Sequence, residues 1–309
     1  MAESNPYLSV VSPVFLAEGI VDELVKRITE EVSKITQDYE ILLVEDGSSD
    51  KSWKKIEDNC KTDKRIKGIK LSRNFGQHYA ITAGLKESRG DYVVVMDCDL
   101  QDDPSFIPSL LEKAQTGFDV VVARRINRQD TTRKRLSSIA FHSIFSYMTN
   151  KSQDSSIGNF GIYHRKVIDS VLAMGDYSKF FPAQIQWVGF KQTTLSFPHS
   201  ARFSGTSSYS WRRLLNLASN NILAFSDKPL RLAVVFGFFV SLVSFVLGIM
   251  YLFLGILGAI QVSGFVTVIA TLFMSTGSII MVIGVVGVYV GKTFEASKNR
   301  PLYLIEDKF

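Results

Sequence analysis

The fold of this chain is decided by the run Tyr92-Val93-Val94-Val95-Met96-Asp97-Cys98-Asp99-Leu100-Gln101-Asp102-Asp103-Pro104. The run starts as an apolar strand and continues with four carboxylates in seven positions. Carboxylates this close repel one another and resist burial unless a cation neutralises them. Ligands of open α/β sheets bind beyond the carboxyl ends of the strands, so this position favours a ligand that brings a divalent metal and phosphates.

An acidic turn that caps a helix is the simpler interpretation of the same run. Asp102 or Asp103 would be the N-cap before Pro104, since proline is favoured in the first helical turn. Asp97 and Asp99 fit that interpretation less well, because they directly follow the apolar strand. The run by itself leaves both interpretations open.

Strand and helix patterns alternate through the first part of the chain. Strands are predicted at Leu8–Val14, Glu40–Val44, Ile66–Leu71, Tyr92–Met96 and Asp119–Ala123, and helices at Val21–Ile35, Gln77–Ser88 and Phe106–Gln115. This alternation predicts an α/β fold with right-handed crossovers and a mainly parallel sheet that is covered on both faces. The sequence has no Gly-x-Gly-x-x-Gly motif after the first strand and no Walker-type lysine loop, which disfavours a dinucleotide oxidoreductase and a P-loop ATPase.

A long uncharged segment predicts membrane spans. Sixty consecutive positions, Leu232–Gly291, contain no Asp, Glu, Lys, Arg or His. One spanning helix needs about 20 apolar residues, so we predict two spans, near Leu230–Leu254 and Phe265–Val290. The predicted organisation is a soluble domain at residues 1–210, an amphipathic juxtamembrane helix at 211–228, two transmembrane helices within 229–291 and a C-terminal tail at 292–309.

Basic residues flank the predicted spans on one side only. Lys228 and Arg231 precede the first span and Lys292, Lys298 and Arg300 follow the second, while the connecting turn has none. The positive-inside rule then predicts that both termini and the soluble domain are cytoplasmic. The polar start of the chain predicts no signal peptide, so we expect an integral protein of the inner or plasma membrane.

Charge and cysteine content favour some partners over others. The net charge is +5, and Arg124–Arg135 holds six basic residues against the single acid Asp130. No aromatic residue is interleaved there for base stacking, so nucleic acid is not an expected partner, and a phosphate group or anionic lipid is favoured. Cys60 and Cys98 form no disulfide framework, as expected in a reducing compartment.

Several motifs occur together in an order that resembles a known family. They are Val10-Val11-Ser12-Pro13-Val14-Phe15, Glu45-Asp46-Gly47-Ser48-Ser49-Asp50, Leu71-Ser72-Arg73-Asn74-Phe75-Gly76-Gln77, the Asp97–Pro104 run, Arg202-x-x-Gly205-x-Ser207-x-Tyr209 and Lys298-Asn299-Arg300-Pro301-Leu302-Tyr303. By these motifs the chain resembles the family 2 glycosyltransferases with a GT-A fold. The resemblance is strongest to the polyprenyl-phosphate branch, which includes bactoprenol glucosyltransferases and dolichol-phosphate mannose synthases. The resemblance implies a GT-A (Rossmann-like) domain followed by a C-terminal two-helix transmembrane hairpin.

The same resemblance implies roles for individual residues. The donor-binding residues would be Pro13, Asp46, Asp97, Asp99 and Gln101, and Asp97 and Asp99 would also hold Mg²⁺ or Mn²⁺. The residues that receive the acceptor phosphate would be Arg124, Arg125, Arg133, Ser137 and Ser207. The expected catalytic residues are Asp99, Asn159 and Arg202. The expected partners are a nucleotide-diphosphate sugar, a polyprenyl phosphate lipid and the membrane.

The chain departs from the family pattern at two places. Leu16-Ala17 stands where an Asn-Glu pair is usual, so we expect different contacts with the nucleotide base. Asn159 stands where relatives commonly have a proposed catalytic aspartate, and an amide is not a general base. A lipid monophosphate has a second pKa of about 6, so it arrives largely ionised and needs positioning and charge neutralisation rather than a base.

The predicted function is inverting transfer of a single sugar to undecaprenyl or a similar polyprenyl phosphate at the cytoplasmic face. The donor is expected to be linked to UDP, with glucose as the default sugar. Two alternatives stay open: a glycosyltransferase that acts on a lipid alcohol such as diacylglycerol, and a non-catalytic membrane scaffold with a degenerate transferase fold. The sequence does not identify the donor sugar or the lipid chain, and a homo-oligomer of unspecified size stays open.

Overall fold

A computed structural model describes residues 6–126, 157–176, 179–198, 228–257 and 264–309. These residues fall into two compact units. The first contains residues 6–126, 157–176, 179–198 and 301–309, and the second contains residues 228–257 and 264–300. The C-terminal residues therefore belong to the same unit as the N-terminal ones, although two long helices separate them along the chain.

The described part of the first unit is built on one eight-stranded sheet. Its strands are β1 Leu8–Val14, β2 Tyr39–Glu45, β3 Ile66–Leu71, β4 Tyr92–Val95, β5 Val120–Ile126, β6 Ile157–His164, β7 Gln192–Pro198 and β8 Ile305–Lys308. Their order across the sheet is β7-β5-β6-β4-β1-β2-β3-β8. The pairs β1–β2, β1–β4, β2–β3 and β5–β7 are parallel, whereas β6 is antiparallel to β4 and β5, and β8 is antiparallel to β3. The predicted α/β fold is confirmed, and its sheet is mixed.

Helices cover both faces of this sheet. In the described part of the first unit they are α1 Val21–Val32, α2 Ser52–Thr62, α3 Gln77–Glu87, α4 Ile107–Gln115, α5 Arg165–Ala173 and α6 Phe181–Val188. Side chains of a strand alternate between its two faces. In β1, Val10 packs into a core with residues of α1, α2 and α4, while Val11 packs into a second core with residues of α3, α5 and α6. Burial on both faces explains why the central strands are continuous apolar runs in the sequence.

The strand β8 covers the edge of the sheet beside β3. Gly68 and Phe309 exchange two backbone hydrogen bonds, of 3.1 and 2.9 Å, and the Ser72 N–H donates to the Leu304 carbonyl at 2.9 Å. These bonds satisfy backbone groups that an open edge strand would leave unpaired. The tail predicted after the second apolar helix therefore includes a strand of the sheet, which the sequence analysis did not predict.

The second unit contains the helices α7 Lys228–Ile256 and α8 Phe265–Ser297. Within them, Lys228–Leu247 and Met274–Ser297 are long and apolar enough to cross a membrane, with mean hydropathies of 2.4 and 1.8. Large apolar side chains such as Phe238 and Met274 are exposed on these helices. A helix that is apolar all round is suited to lipid rather than to water. The two helices are thus candidate membrane spans, in agreement with the sequence prediction.

Candidate functional site

The strands β1, β2 and β4 are parallel, so their carboxyl ends lie side by side. We call this side of the sheet its carboxyl edge. Asp97 follows β4 at this edge. The strand β6 is antiparallel to β4 and pairs Gly161 with Val95. Continuing this register by two residues places Asn159 opposite Asp97. Strand pairing therefore brings together two of the predicted site residues, which are 62 positions apart in the sequence.

Two side-chain amides converge on one oxygen of Asp97. Asn159 Nδ2 donates to Asp97 Oδ1 at 3.1 Å, and Gln77 Nε2 donates to the same oxygen at 2.7 Å. Gln77 is the first residue of α3, so it reaches the site from a helix N-terminus. Hydrogen bonds to an ionised carboxylate are stronger than those between neutral groups and favour the charged form. Gln77 was not among the predicted site residues, although it ends the Leu71–Gln77 motif.

The turn after Asp97 contains the second predicted metal ligand. Asp99 Oδ1 accepts a hydrogen bond from the Gln101 N–H at 3.1 Å. Leu100, between them, has a φ of 56°, a left-handed conformation that few non-glycine residues adopt. Asp103 accepts the Ser105 N–H at 3.0 Å at the start of a 3-10 turn. The capping role predicted for this part of the acidic run is therefore confirmed at Asp103.

Asp46 holds the loop that leads into α3. Its two carboxylate oxygens accept the backbone N–H groups of Phe75 and Gly76, at 2.8 and 2.9 Å, and Asn74 Nδ2 donates to its carbonyl at 3.1 Å. Burial raises the pKa of Asp46 above its ordinary value, and the two backbone donors oppose that shift. The structure thus gives this carboxylate a role inside the protein, and its contact with a nucleotide stays a prediction.

The turn after β2 packs directly against the same loop. Gly47 has a φ of 66°, and a Cβ at this position would lie 2.3 Å from the Arg73 carbonyl carbon and 2.3 Å from the Asn74 nitrogen. Both the backbone conformation and the close approach therefore require glycine. Through this packing, the turn that carries Asp46 supports the N-terminus of α3 and hence Gln77.

The residues after β1 form a neighbouring turn at the same edge. Pro13 is buried within β1, so its predicted contact with the donor stays a prediction. Leu16 has a φ of 49° and its side chain is 53% exposed, while its N–H donates to Ser48 Oγ at 3.0 Å. Glu18 accepts the Lys51 N–H at 2.8 Å. The Leu16-Ala17 departure thus leaves an exposed apolar side chain where the family pattern has a polar one.

Two further ionisable groups beside Asp97 are neutral near pH 7. Burial, together with Asp97 and Asp99, raises the pKa of the Cys98 thiol to about 12. Burial and the charge of Asp97 raise the pKa of Tyr163, whose hydroxyl donates to the Asn159 carbonyl at 3.3 Å. A neutral thiol and a neutral phenol supply no strong nucleophile or base. Neither group therefore adds charge beside Asp97 and Asp99.

The basic residues predicted for the acceptor phosphate are only partly described. Arg124 and Arg125 lie in β5, which runs parallel to β4 because β6 is antiparallel to both. The carboxyl end of β5 is therefore at the same edge of the sheet as Asp97. The other predicted residues, Arg133, Ser137, Arg202 and Ser207, lie outside the described residues, as do residues 211–227 of the juxtamembrane helix predicted at 211–228.

The donor set fits a hard divalent cation that arrives with phosphates. Asp97 and Asp99 offer carboxylate oxygens at the carboxyl edge of the sheet, after β4. Within the described ranges, no group of three or more His, Cys, Asp or Glu side chains could hold a metal ion by itself. Mg²⁺ and Mn²⁺ are typically bound by one or two carboxylates plus substrate phosphates. Two aspartates therefore suit a metal that is shared with a bound diphosphate.

Comparison with known proteins identifies the family. A model of glycosyl transferase family 2 matches residues 9–172, which is more than half of the chain. The chain belongs to glycosyl transferase family 2. The match begins in β1 and ends in α5, and it includes Asp97, Asp99 and Asn159. The resemblance seen in the sequence motifs is confirmed.

Relatives extend the likeness over nearly the whole of this glycosyltransferase. It is 34% identical over 306 residues to an undecaprenyl-phosphate 4-deoxy-4-formamido-L-arabinose transferase of Proteus mirabilis, and the alignment covers 97% of this chain and 93% of the relative. It is 33% identical to the glycosyltransferase YkcC of Bacillus subtilis, with 97% and 94% covered. The crystal structure of glucosyl-3-phosphoglycerate synthase from Mycobacterium tuberculosis has a TM-score of 0.53 and 15% identity, covering 71% of this chain and 78% of that one. That structural likeness confirms the GT-A fold.

Proposed function

We propose that this glycosyltransferase transfers one sugar, with inversion, from a nucleotide-diphosphate sugar to a polyprenyl phosphate at the cytoplasmic face of the membrane. The observation that carries the donor half is the pair Asp97 and Asp99 at the carboxyl edge of the sheet, where Gln77 and Asn159 bind Asp97. The acceptor half is supported by relatives named as undecaprenyl-phosphate sugar transferases, whose alignments cover 97% of this chain.

The donor diphosphate would bind beside Asp97 and Asp99 together with Mg²⁺ or Mn²⁺. A bound divalent cation neutralises phosphate charge and stabilises the nucleoside diphosphate as it leaves. Gln101 would line the donor site from the turn after Asp99. Pro13 lies near the end of β1 and Asp46 in the turn after β2, and the nucleotide would lie beside them. Their contacts follow from the family pattern and from their place at this edge.

The acceptor phosphate would supply its own nucleophile. Its oxygen attacks the anomeric carbon as the bond from that carbon to the diphosphate oxygen breaks, giving a polyprenyl-monophosphate sugar and a nucleoside diphosphate. A phosphate monoester with a second pKa of about 6 needs no general base near pH 7, which agrees with an amide at Asn159. The cationic and hydroxyl groups proposed to hold the phosphates are Arg124, Arg125, Arg133, Ser137, Arg202 and Ser207.

UDP is the proposed nucleotide, and glucose is the default sugar. The Mycobacterium tuberculosis neighbour was crystallised with UDP-glucose and Mn²⁺, whereas several relatives are named for 4-deoxy-4-formamido-L-arabinose. A donor assay must therefore include both kinds of sugar. Lys228 and Arg231 in the first turn of α7 and Lys292 near the end of α8 support a cytoplasmic position for both termini and for the proposed catalytic domain at 1–210.

The proposal is tested with membranes that contain the full chain. They are incubated with undecaprenyl phosphate, Mn²⁺ and a panel of radiolabelled nucleotide sugars: UDP-glucose, UDP-N-acetylglucosamine, UDP-galactose, GDP-mannose and nucleotide-linked 4-deoxy-4-formamido-L-arabinose. We expect one donor to give a labelled lipid that mild acid cleaves. Asp99→Ala should abolish this product. Asp103→Ala is the matched control and should retain it, because Asp103 only caps a 3-10 turn.

Each outcome of this assay bears on a particular part of the proposal. Turnover by Asp99→Ala would contradict the metal and donor assignment. A labelled product that resists mild acid would contradict a phosphate acceptor and favour a lipid alcohol. A full chain that forms no labelled lipid and binds no nucleotide diphosphate in the presence of Mn²⁺ would favour the scaffold alternative.

A further inference from the structure

We propose that Gln77 and Asn159 act together as an amide clamp, which fixes the orientation of the Asp97 carboxylate for binding of the metal and the donor diphosphate. Both would be positioning residues that act through Asp97. The inference rests on the proposed function and adds to it a residue, Gln77, that belongs to none of the predicted donor, acceptor or catalytic sets.

The geometry of the contacts carries the inference. A single hydrogen bond leaves a carboxylate free to turn, because the terminal torsion of aspartate has a broad energy profile. Here two donors reach the same oxygen, Asp97 Oδ1, at 2.7 Å from Gln77 and at 3.1 Å from Asn159. They arrive from different elements, a helix N-terminus and a strand. Two donors from separate directions restrict the rotation of the carboxylate.

The strand arm of the clamp is held by the sheet and by a buried side chain. Asn159 lies in β6 and is only 9% exposed. Its carbonyl accepts the hydroxyl of Tyr163, which is fully enclosed in the core at 1% exposure. Asn159 therefore lies between two residues that pair with β5, Ile157 and Gly161, and its own carbonyl is held by Tyr163.

The helix arm of the clamp is held by Asp46. The carboxylate of Asp46 accepts the N–H groups of Phe75 and Gly76, the two residues before Gln77. These bonds set the position at which α3 begins. A rigid supporting shell of this kind is what a precise metal site requires, since partners in the outer shell orient the direct ligands.

The amide at Asn159 is essential to this arrangement. An ionised aspartate at the same position would have only acceptor oxygens, so it could not donate to Asp97, and two carboxylates at that separation would repel each other. The asparagine that departs from the family pattern is therefore the residue that allows a second donor. The clamp assigns Asn159 a function that does not depend on proton transfer.

The clamp is tested by measuring the affinity of the purified full chain for Mn²⁺ in the presence of UDP, with free Mn²⁺ followed by electron paramagnetic resonance. Gln77→Met and Asn159→Leu keep the approximate size of each side chain and remove the donor. Each should weaken Mn²⁺ binding about 10-fold, as loss of outer-shell partners does in other metal sites. The double variant should weaken it by clearly less than the product of the two effects, because the clamp needs both donors and either loss already disables it.

The matched control is Gln115→Met. Gln115 Nε2 donates to the Tyr7 hydroxyl at 2.8 Å at an exposed position, so the same substitution there should leave Mn²⁺ affinity unchanged. Thermal unfolding without metal and UDP should give similar midpoints for the wild type and Gln77→Met. If Gln77→Met does not fold, the affinity for Mn²⁺ is measured instead on Asn159→Leu and on Gln77→Asn, which has a shorter side chain. Both should bind Mn²⁺ more weakly than the wild type.

The results separate the clamp from the proposed function. Wild-type Mn²⁺ affinity in both Gln77→Met and Asn159→Leu would overturn the clamp while leaving the proposed function in place. A wild-type chain that binds no Mn²⁺ with UDP would count against the proposed function itself. In turnover assays, the clamp predicts a raised KM for Mn²⁺ with an unchanged KM for the lipid, and a raised lipid KM alone would contradict it.

Discussion

Replacement of Gly47 by alanine tests whether the turn after β2 and the loop before α3 form one structural unit. An alanine Cβ would lie 2.3 Å from both the Arg73 carbonyl carbon and the Asn74 nitrogen. Ordinary contacts between carbon atoms are about 3.5–4.0 Å, so the turn and the loop would have to separate by more than about 1 Å. That movement would stretch the bonds of 2.8 and 2.9 Å from Phe75 and Gly76 to Asp46 beyond hydrogen-bonding range.

The free energy cost has two parts. A left-handed backbone costs a non-glycine residue about 1–2 kcal/mol. Hydrogen bonds to a charged group contribute about 1.5–3 kcal/mol each, so loss of both would add about 3–6 kcal/mol. We therefore expect Gly47→Ala to lower the free energy of unfolding of the first unit by about 4–8 kcal/mol.

Gly189 provides a matched control for the backbone cost alone. Its φ is 69°, close to the 66° of Gly47, but the nearest atom to a Cβ there is the Trp187 carbonyl oxygen at 3.9 Å. Gly189→Ala should therefore lower the free energy of unfolding by only about 1–2 kcal/mol.

Thermal unfolding of the full chain in detergent, followed by tryptophan fluorescence, measures the difference. For a unit of this size, 1 kcal/mol corresponds to about 2–4 °C in Tm. Gly189→Ala should lower the Tm by about 2–8 °C and Gly47→Ala by at least about 8 °C. Equal shifts for the two variants would refute the coupling of the turn to the loop.

Two further predictions concern the polar side chains of His78 and Ser9. Burial lowers the pKa of His78 from 6.5 to about 4, so the unfolded chain takes up the proton first as the pH falls. Between pH 7 and pH 4 the wild type should lose about 3 kcal/mol more stability than His78→Phe in urea unfolding, and parallel pH profiles would contradict this. Ser9→Ala should lower the free energy of unfolding by about 2–4 kcal/mol, because Ser9 Oγ donates to Glu40 at 2.6 Å and accepts the Gly90 N–H at 2.7 Å. A loss below about 0.5 kcal/mol in urea unfolding, which is typical of surface substitutions, would contradict this prediction.

Local patterns were sufficient for most of the first half of the fold, although the helix α2 at Ser52–Thr62 was not predicted. The strands β1 and β3 begin and end at the predicted residues, and β2, β4 and β5 differ from the prediction by one to three residues at an end. The predicted helix at Phe106–Gln115 is preceded by a 3-10 turn at Pro104–Phe106 and begins at Ile107. The spacing of apolar residues predicts these elements because each segment buries one or both of its faces, and the residues of a face recur at a fixed interval along the segment.

The later strands could not be predicted in the same way. The strand β8 consists of Ile305, Glu306, Asp307 and Lys308, a mostly polar sequence with no apolar alternation. It is a strand because β3 offers an unpaired edge, and that edge exists only after the sheet has formed. Strand propensity depends strongly on such surroundings.

The role of Asn159 shows the same limit at the site. The family pattern singled out position 159, and from it we concluded only that Asn159 cannot act as a general base. The structure adds what it does, which is to donate to Asp97 at 3.1 Å beside Gln77. A hydrogen bond between residues 62 positions apart leaves no periodic trace in the sequence.

The sequence by itself determined the alternating α/β pattern, the two apolar helices and the place of Asp97 and Asp99 after a buried strand. These features follow from burial, from the thickness of a membrane and from the repulsion between neighbouring carboxylates, all of which act over short stretches of chain. Only the tertiary structure decided that β6 lies antiparallel between β4 and β5, and that Asp46, Gln77 and Asn159 support one carboxylate. The reason is geometric, because hydrogen bonds of about 3 Å between distant segments form only once the strands have paired and the helix has been positioned.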